Sequence, residues 1–146
     1  METRMKRKSL VLVADDDRAV REALASRLVQ AGFEVVSAGD PSSAIELFKS
    51  RRPTAAILDI QMPGSDGFAV CEYIRKSGSR IPVFFLTGAN EGVVRNHLRA
   101  LTDAVGGNHF VTKPYDGKTL VVMLRRAIEE SDSDVTEDTQ RLSTVN

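Results

Sequence analysis

TAAILDIQMPGSDGF, residues 54–68, joins four small or apolar residues, Ala55–Leu58, directly to Asp59, with a Pro-Gly turn close behind. A short unbroken apolar run is what a strand shows when both of its faces are covered. A carboxylate at its end fits only where that end opens into a polar cleft. Two questions follow: what else in the chain repeats this apolar run, and what each run carries at its end.

Leu10–Ala14 is a second run of the kind, and Phe33–Ala38 and Val83–Leu86 are two more; His109–Thr112 is a fifth, less apolar one. Pro82 opens the fourth, a position where a strand tolerates proline. Between them the spacing changes to helical. Val20, Leu24 and Leu28 recur every four residues over Arg18–Ala31, and Gly32 stands where a helix stop belongs. Asp40-Pro41 supplies a cap and a first-turn proline for a helix carrying Ile45 and Phe48. Gly67–Lys76 places Val70, Cys71 and Ile74 on one face. Val94, Leu98, Leu101 and Val105 predict a helix over about 90–105, ended by Gly106-Gly107. Asp116 caps a last helix whose stripe is Leu120, Leu124, Ala127 and Ile128. Five strands alternating with five helices predict an α/β domain with a doubly wound parallel sheet.

The 146 residues fit one domain, 9–130, between a basic arm at 1–8 and a polar tail at 131–146 that is expected to lack regular structure or to begin a linker. Twenty Lys+Arg balance twenty Asp+Glu, so net charge points to no polyanion. The run Arg4-Met5-Lys6-Arg7-Lys8 is short and reads as a solvated arm, so no direct nucleic-acid binding by this chain is expected. Cys71 is the single cysteine, which excludes an intrachain disulfide and a cysteine zinc site. His97 and His109 share no context that suggests a metal. No apolar run reaches the roughly 20 residues of a membrane span, and Leu10–Ala14 is too short for the apolar core of a secretory leader. A cytoplasmic protein is expected.

In an open parallel sheet, ligands bind at the carboxyl ends of the strands. The first strand ends in Asp15-Asp16-Asp17, the third in Asp59, the fourth in Thr87 and the fifth in Lys113; the second offers nothing comparable. Each has an ordinary explanation. Asp17 reads better as a helix cap than as a ligand, and Thr87 or Lys113 alone reads as a turn hydroxyl or a solvated amine. Their joint occurrence on four strands shifts the balance. Clustered carboxylates repel by roughly 4 kcal/mol per pair at 4 Å and an effective dielectric of 20. A divalent cation relieves this, and oxygen-only donors favour Mg²⁺.

With VLVADDD at 11–17, LDIQMPGSDGF at 58–68, FLTG at 85–88 and FVTKP at 110–114, the chain resembles the receiver domains of two-component response regulators over residues 9–130. The resemblance implies the flavodoxin-like fold, a five-stranded parallel sheet of order 2-1-3-4-5. It implies a phosphoacceptor switch in a phosphorelay, with self-catalysed transfer and autodephosphorylation rather than turnover of an outside substrate. Asp59 would be the phosphoacceptor, and Asp15, Asp16 and Asp59 would hold Mg²⁺, with Asp16 the more direct ligand and Asp15 acting partly through water. Lys113 would bind the phosphoryl oxygens and Thr87 would donate its hydroxyl to them. Phe110 would be the aromatic switch, Gln61 and Ala89 would tune dephosphorylation, and the Lys113–Pro114 bond would be cis. The donor would be a histidine kinase or a histidine phosphotransfer protein. The switch would act on a surface of the 90–105 helix, the fifth strand and the last helix, a face through which a homodimer is also conceivable.

Two features depart from the family pattern. The segment from Gly88 to Thr112 is lengthened, with AVGGNH at 104–109 in place of a tighter turn. No output domain follows, so the chain reads either as a stand-alone regulator with an unknown output protein or as a piece whose output domain is missing. Three other readings fit the sequence less well. A haloacid-dehalogenase-type phosphatase would use Asp15-Asp16-Asp17 as its DxD, but would leave the turn at 62–67 unexplained. A flavin-binding flavodoxin needs a hydroxyl-rich phosphate loop where this chain has three acids. A receiver that has lost phosphorylation would lack part of the motif set, and nothing is missing.

Overall fold

The computed structural model describes residues 8–60, 67–88, 100, 103–104, 106 and 109–144, with side chains as far as Ser131. Five strands, β1 (Leu10–Ala14), β2 (Glu34–Ala38), β3 (Ala55–Asp59), β4 (Val83–Thr87) and β5 (His109–Thr112), form one sheet of order β2-β1-β3-β4-β5. All its pairings are parallel. The helices among the described residues are α1 (Arg18–Gln30), α2 (Pro41–Arg51), α3 (Gly67–Lys76) and α4 (Gly117–Thr144). This is the flavodoxin-like, doubly wound architecture. The expected helix over 90–105 lies largely outside the described residues; Ala100, Asp103 and Ala104, which belong to it, are helical.

Strand parity explains why the central runs are apolar without alternation. Val11, Val13, Ala55, Ile57, Phe84 and Leu86 face α1 and α4 and pack with Leu24, Leu28, Leu120 and Leu124. The intervening residues Leu12, Ala14, Ala56, Leu58, Val83 and Phe85 face α2 and α3 and pack with Ala44, Phe68, Val70, Cys71 and Ile74. Each central strand therefore feeds two cores, and every position of β3 and β4 is buried. Burying such side chains contributes about 1.5–3 kcal/mol each, so no polar residue is tolerated before the strand ends. β5 lies at the sheet edge and is half-buried throughout. There His109 stacks on Phe84 with ring centroids 4.1 Å apart, and burial holds its imidazole below the ordinary value.

Local signals fix the helix ends. The Asp17 carboxylate accepts from Val20 N at 3.2 Å and caps α1, as its position after β1 suggests. Asp40 accepts from Ser43 N at 2.8 Å, with Pro41 inside the first turn of α2. Beyond α1, Gly32 takes φ +102°, the left-handed region that glycine enters without steric cost. The stripe Leu120, Leu124, Ala127 and Ile128 is buried as its spacing predicts.

The tail departs from expectation. α4 does not stop near Glu130 but continues through Thr144. The apolar stripe ends at Ile128, which removed the periodic signal, yet residues 118–144 contain neither glycine nor proline. Nothing there interrupts a backbone ladder once α4 has started it.

Candidate functional site

Parallel register builds the site. Ala14 lies level with Leu58 across β1 and β3, so one step further on Asp15 stands beside Asp59. Thr87 lies level with Thr112 across β4 and β5, and Lys113 N donates to Thr87 O at 2.6 Å. Four strand ends thus deliver their polar residues to one edge. Asp15 and Asp59 share the parity of Val13 and Ile57, and Lys113 that of Val111, so all three belong to the α1/α4 side of the sheet.

The result is a buried triangle. Lys113 Nζ lies 3.4 Å from Asp59 Oδ2 and 3.6 Å from Asp15 Oδ2. The Asp15 and Asp59 side chains are 3% and 7% exposed, whereas that of Lys113 is 29% exposed. Asp16 is exposed at the rim, and oxygens of Asp15, Asp16 and Asp59 lie within 4.8 Å of one another. Asp15 Oδ1 accepts from Asp17 N at 2.9 Å. Asp15 Oδ2 is buried and makes no hydrogen bond, the ammonium standing just beyond reach.

The charges are unevenly matched. Burial, aided by the neighbouring Asp59, pushes the Asp15 carboxyl above its ordinary value, although the Asp17 amide and Lys113 pull the other way. For Lys113, burial is the largest single influence and would lower its pKa, but Asp59 and Asp15 together outweigh it and raise the value. Lys113 is therefore held as a cation between two acids. The donor set fits a hard divalent cation: every donor is a carboxylate oxygen, and one buried oxygen is orphaned.

Thr87 is fully buried and shares the opposite parity, that of Phe85, on the α2/α3 side. Phe110 packs on the same side. With Phe85 level with Phe110 and Thr87 level with Thr112, Thr87 and Phe110 are diagonal neighbours on one face. The Lys113–Pro114 bond is cis. Gln61, Ala89 and His97 lie outside the described residues. His109 stands at the far end of β5 from the acids.

Three supporting residues escaped the sequence reading. A Cβ on Gly67 would stand 2.6 Å from Asp59 O, so only glycine lets α3 start this close to the strand end. Gly67 N also donates to Ile60 O at 3.3 Å. Arg21 Nη1 donates to Asp15 O at 2.7 Å, which fixes the β1 end from α1. Tyr115 is half-buried against the α1/α4 core; burial raises its phenol, with Lys113 and Asp15 acting on it in opposite directions. The DG pair before an apolar stretch was the available signal for Gly67; nothing local singled out Arg21.

Known proteins resemble this chain over most of its length. The family model described as "Response regulator receiver domain" matches residues 11–125. Over 128 residues the chain is 37% identical to a "Probable transcriptional regulator ycf27" of Galdieria sulphuraria, covering 88% of this chain and 48% of that protein. Over 133 residues it is 35% identical to "Response regulator MprA" of Mycobacterium sp. (strain KMS), covering 91% and 56% respectively. The chain thus spans about half the length of the curated relatives it matches. Among solved structures, a CheY-like receiver domain protein from Methanospirillum hungatei JF-1 superposes with TM-score 0.80 at 19% identity, over 88% of this chain and 99% of that one. Chemotaxis protein CheY4 of Vibrio cholerae superposes with TM-score 0.75 at 27% identity, over 83% and 99%.

Proposed function

The chain belongs to the response regulator receiver family of two-component signalling, and from that premise we propose that Asp59 accepts a phosphoryl group from a histidine kinase or histidine phosphotransfer protein. The observation that carries this reading is the buried triangle, in which Lys113 Nζ lies 3.4 Å from Asp59 Oδ2 and 3.6 Å from Asp15 Oδ2. A carboxylate is a weak nucleophile that must approach an anionic phosphoryl group, so its surroundings must neutralise charge before anything else.

In the proposed transfer an Asp59 oxygen attacks phosphorus, the O–P bond forms, and the P–N bond to the donor imidazole breaks. The imidazole keeps the electron pair and takes a proton from solvent. Lys113 holds the phosphoryl oxygens, its ammonium already 3.4 Å from Asp59 Oδ2. Asp15, Asp16 and Asp59 would hold Mg²⁺, which when bound offsets the charge between carboxylate and phosphoryl group. The Thr87 hydroxyl then donates to a phosphoryl oxygen, and Phe110, its diagonal neighbour, repacks. That carries the change to the outer surface of the 90–105 segment, β5 and α4. Water hydrolyses the acyl phosphate and resets the switch, at a rate tuned by Gln61 and Ala89. The chain is thus a self-catalysed phosphoacceptor, not a turnover enzyme, with 9–130 as its receiver unit.

The relatives are named as regulators, one of them of transcription, and this chain spans about half their length. We therefore place the output in a further part of the protein or in a separate partner, with nucleic-acid contact made there and not by the receiver. No helix among the described residues is long and apolar enough to cross a membrane, and a cytoplasmic setting fits a kinase-fed switch.

Intact mass after incubation with acetyl phosphate tests the proposal. One labile phosphoryl adduct should form with Mg²⁺, fail to form with chelator, and be absent from a folded Asp59→Asn variant. An adduct on Asp59→Asn would overturn the assignment. Steady turnover of p-nitrophenyl phosphate would instead support a phosphatase.

A further inference from the structure

Three consecutive acids, Asp15–Asp17, turn the chain from β1 into α1 and still keep the Asp15 carboxylate beside Asp59. Short local bonds hold most of this turn. Asp15 N donates to Ala38 O, at the end of β2, at 3.1 Å. Asp15 Oδ1 accepts from Asp17 N at 2.9 Å. Asp17 O accepts from Arg21 N at 2.9 Å, and the Asp17 carboxylate caps α1. The Asp15 carbonyl is different. Among the described residues no backbone N–H donates to it, and its hydrogen bond comes from a side chain, Arg21 Nη1, at 2.7 Å.

An arginine one helical turn beyond three acids would ordinarily pair with one of them. Arg21 does not: among the described residues its guanidinium forms no ion pair. Its half-buried side chain runs instead to the corner between β2 and α2, where a Cβ on Gly39 would stand 3.0 Å from Nη1 and 3.5 Å from Cζ. Glycine at 39 leaves the guanidinium room to reach the carbonyl. A planar guanidinium is a pre-organised donor, and a bond from a charged donor is roughly twice as strong as a neutral one. The carbonyl it holds belongs to the planar peptide that joins Asp15 to Asp16. Fixing that oxygen fixes the plane, and with it the Cα from which each acid starts.

Resting on the reading of Asp15, Asp16 and Asp59 as the residues that hold Mg²⁺, we propose that Arg21 is a positioning residue for the ion. It pins the Asp15–Asp16 peptide so that the buried and the exposed carboxylate stand within reach of one cation before it arrives. Ordering that precedes binding does not weaken it. Arg21 achieves this against its own charge. A guanidinium beside the site repels a divalent cation, so on Coulomb grounds alone its removal tightens binding. The lost pin acts in the opposite direction, and the sign of the change tells the two apart.

An NMR titration of Mg²⁺ into the isotope-labelled 146-residue chain tests it, with Arg21→Ala, Arg21→Lys and Gly39→Ala. None of these removes a carboxylate, and the amide spectrum in chelator shows whether each variant is folded. The Mg²⁺ dissociation constant should rise about tenfold in Arg21→Ala, as it does on loss of a residue that orients metal ligands. Arg21→Lys keeps the charge without the planar fork, so its constant should lie between those of wild type and Arg21→Ala. Gly39→Ala leaves Arg21 in place but crowds Nη1, and about a twofold rise is expected. At saturating Mg²⁺ the rate of phosphorylation by acetyl phosphate should return to the wild-type value in all three, because Arg21 touches no reacting atom. An Arg21→Ala constant equal to or tighter than wild type would overturn the proposal and leave Arg21 a structural residue. A rate that stays low at saturating Mg²⁺ would overturn it as well. Should Arg21→Ala not fold, an unchanged constant in Arg21→Lys would do the same. A wild type that binds no Mg²⁺ is a separate failure, which overturns the metal reading and the proposal with it.

Discussion

Asp15→Asn should make the metal-free protein more stable while removing its response to Mg²⁺. The substitution keeps the side-chain shape and deletes one charge from the triangle. Lys113 Nζ lies 3.6 Å from Asp15 Oδ2, so the attraction lost is about 4.6 kcal/mol at an effective dielectric of 20. Oxygens of Asp15 and Asp59 lie within 4.8 Å, so the repulsion removed is about 3.5 kcal/mol or more. These nearly cancel, and the burial of the charge decides the sign. The Asp15 side chain is 3% exposed and its Oδ2 makes no hydrogen bond, and an ion so placed costs several kcal/mol. An asparagine keeps the acceptor for Asp17 N and offers new donors towards Asp59. A net gain of about 1–2 kcal/mol is expected in chelator, or roughly 3–6 °C in Tm for a domain of this size. Thermal melts in chelator and in Mg²⁺ check both halves. A variant less stable than wild type in chelator, or one stabilised by Mg²⁺ as much as wild type, would refute the reasoning.

Lys113→Met leaves two buried carboxylates facing each other. Truncating a fully buried pair costs 3–5 kcal/mol; with the lysine side chain 29% exposed, about 2 kcal/mol is expected in chelator, partly restored by Mg²⁺, as chemical denaturation would read. Gly67→Ala should cost about 1–3 kcal/mol and slow phosphorylation by acetyl phosphate, because its Cβ would stand 2.6 Å from Asp59 O; wild-type values for both would show that the close approach is immaterial. The amide and hydroxyl of Ser43 hold the Asp40 carboxyl below its ordinary 3.8. This cap therefore stabilises the fold above that value and loses its effect as pH falls through the depressed one. Asp40→Ala should lower Tm at pH 7 and converge with wild type in acid; a gap that persists in acid would mean the carboxylate is not the cause.

The reading of TAAILD held because its logic is physical: a strand buried on both faces admits a carboxylate only where the sheet ends. The same logic placed Asp15 and Lys113, and register then set Asp15 beside Asp59. The caps Asp17 and Asp40 and the stop at Gly32 were legible because they act within a few residues of themselves. What was not legible acts across the fold. Arg21 reaches the Asp15 carbonyl from the next helix, and the closeness of Gly67 to Asp59 depends on the entry angle of α3. The division of the helices into two pairs needed strand parity joined to topology. The continuation of α4 was missed because an apolar stripe reports packing, and this helix outruns its packing at Ile128.

The central claim is that Asp59, and no other carboxylate of the triangle, takes the phosphoryl group. Borohydride reduction of the acetyl phosphate-treated protein converts an aspartyl phosphate to homoserine, which peptide mass spectrometry locates by residue. Homoserine at position 59, formed only when Mg²⁺ is present, is the predicted result. Homoserine at position 15 or 16 with none at 59 would contradict the account and move the nucleophile to β1.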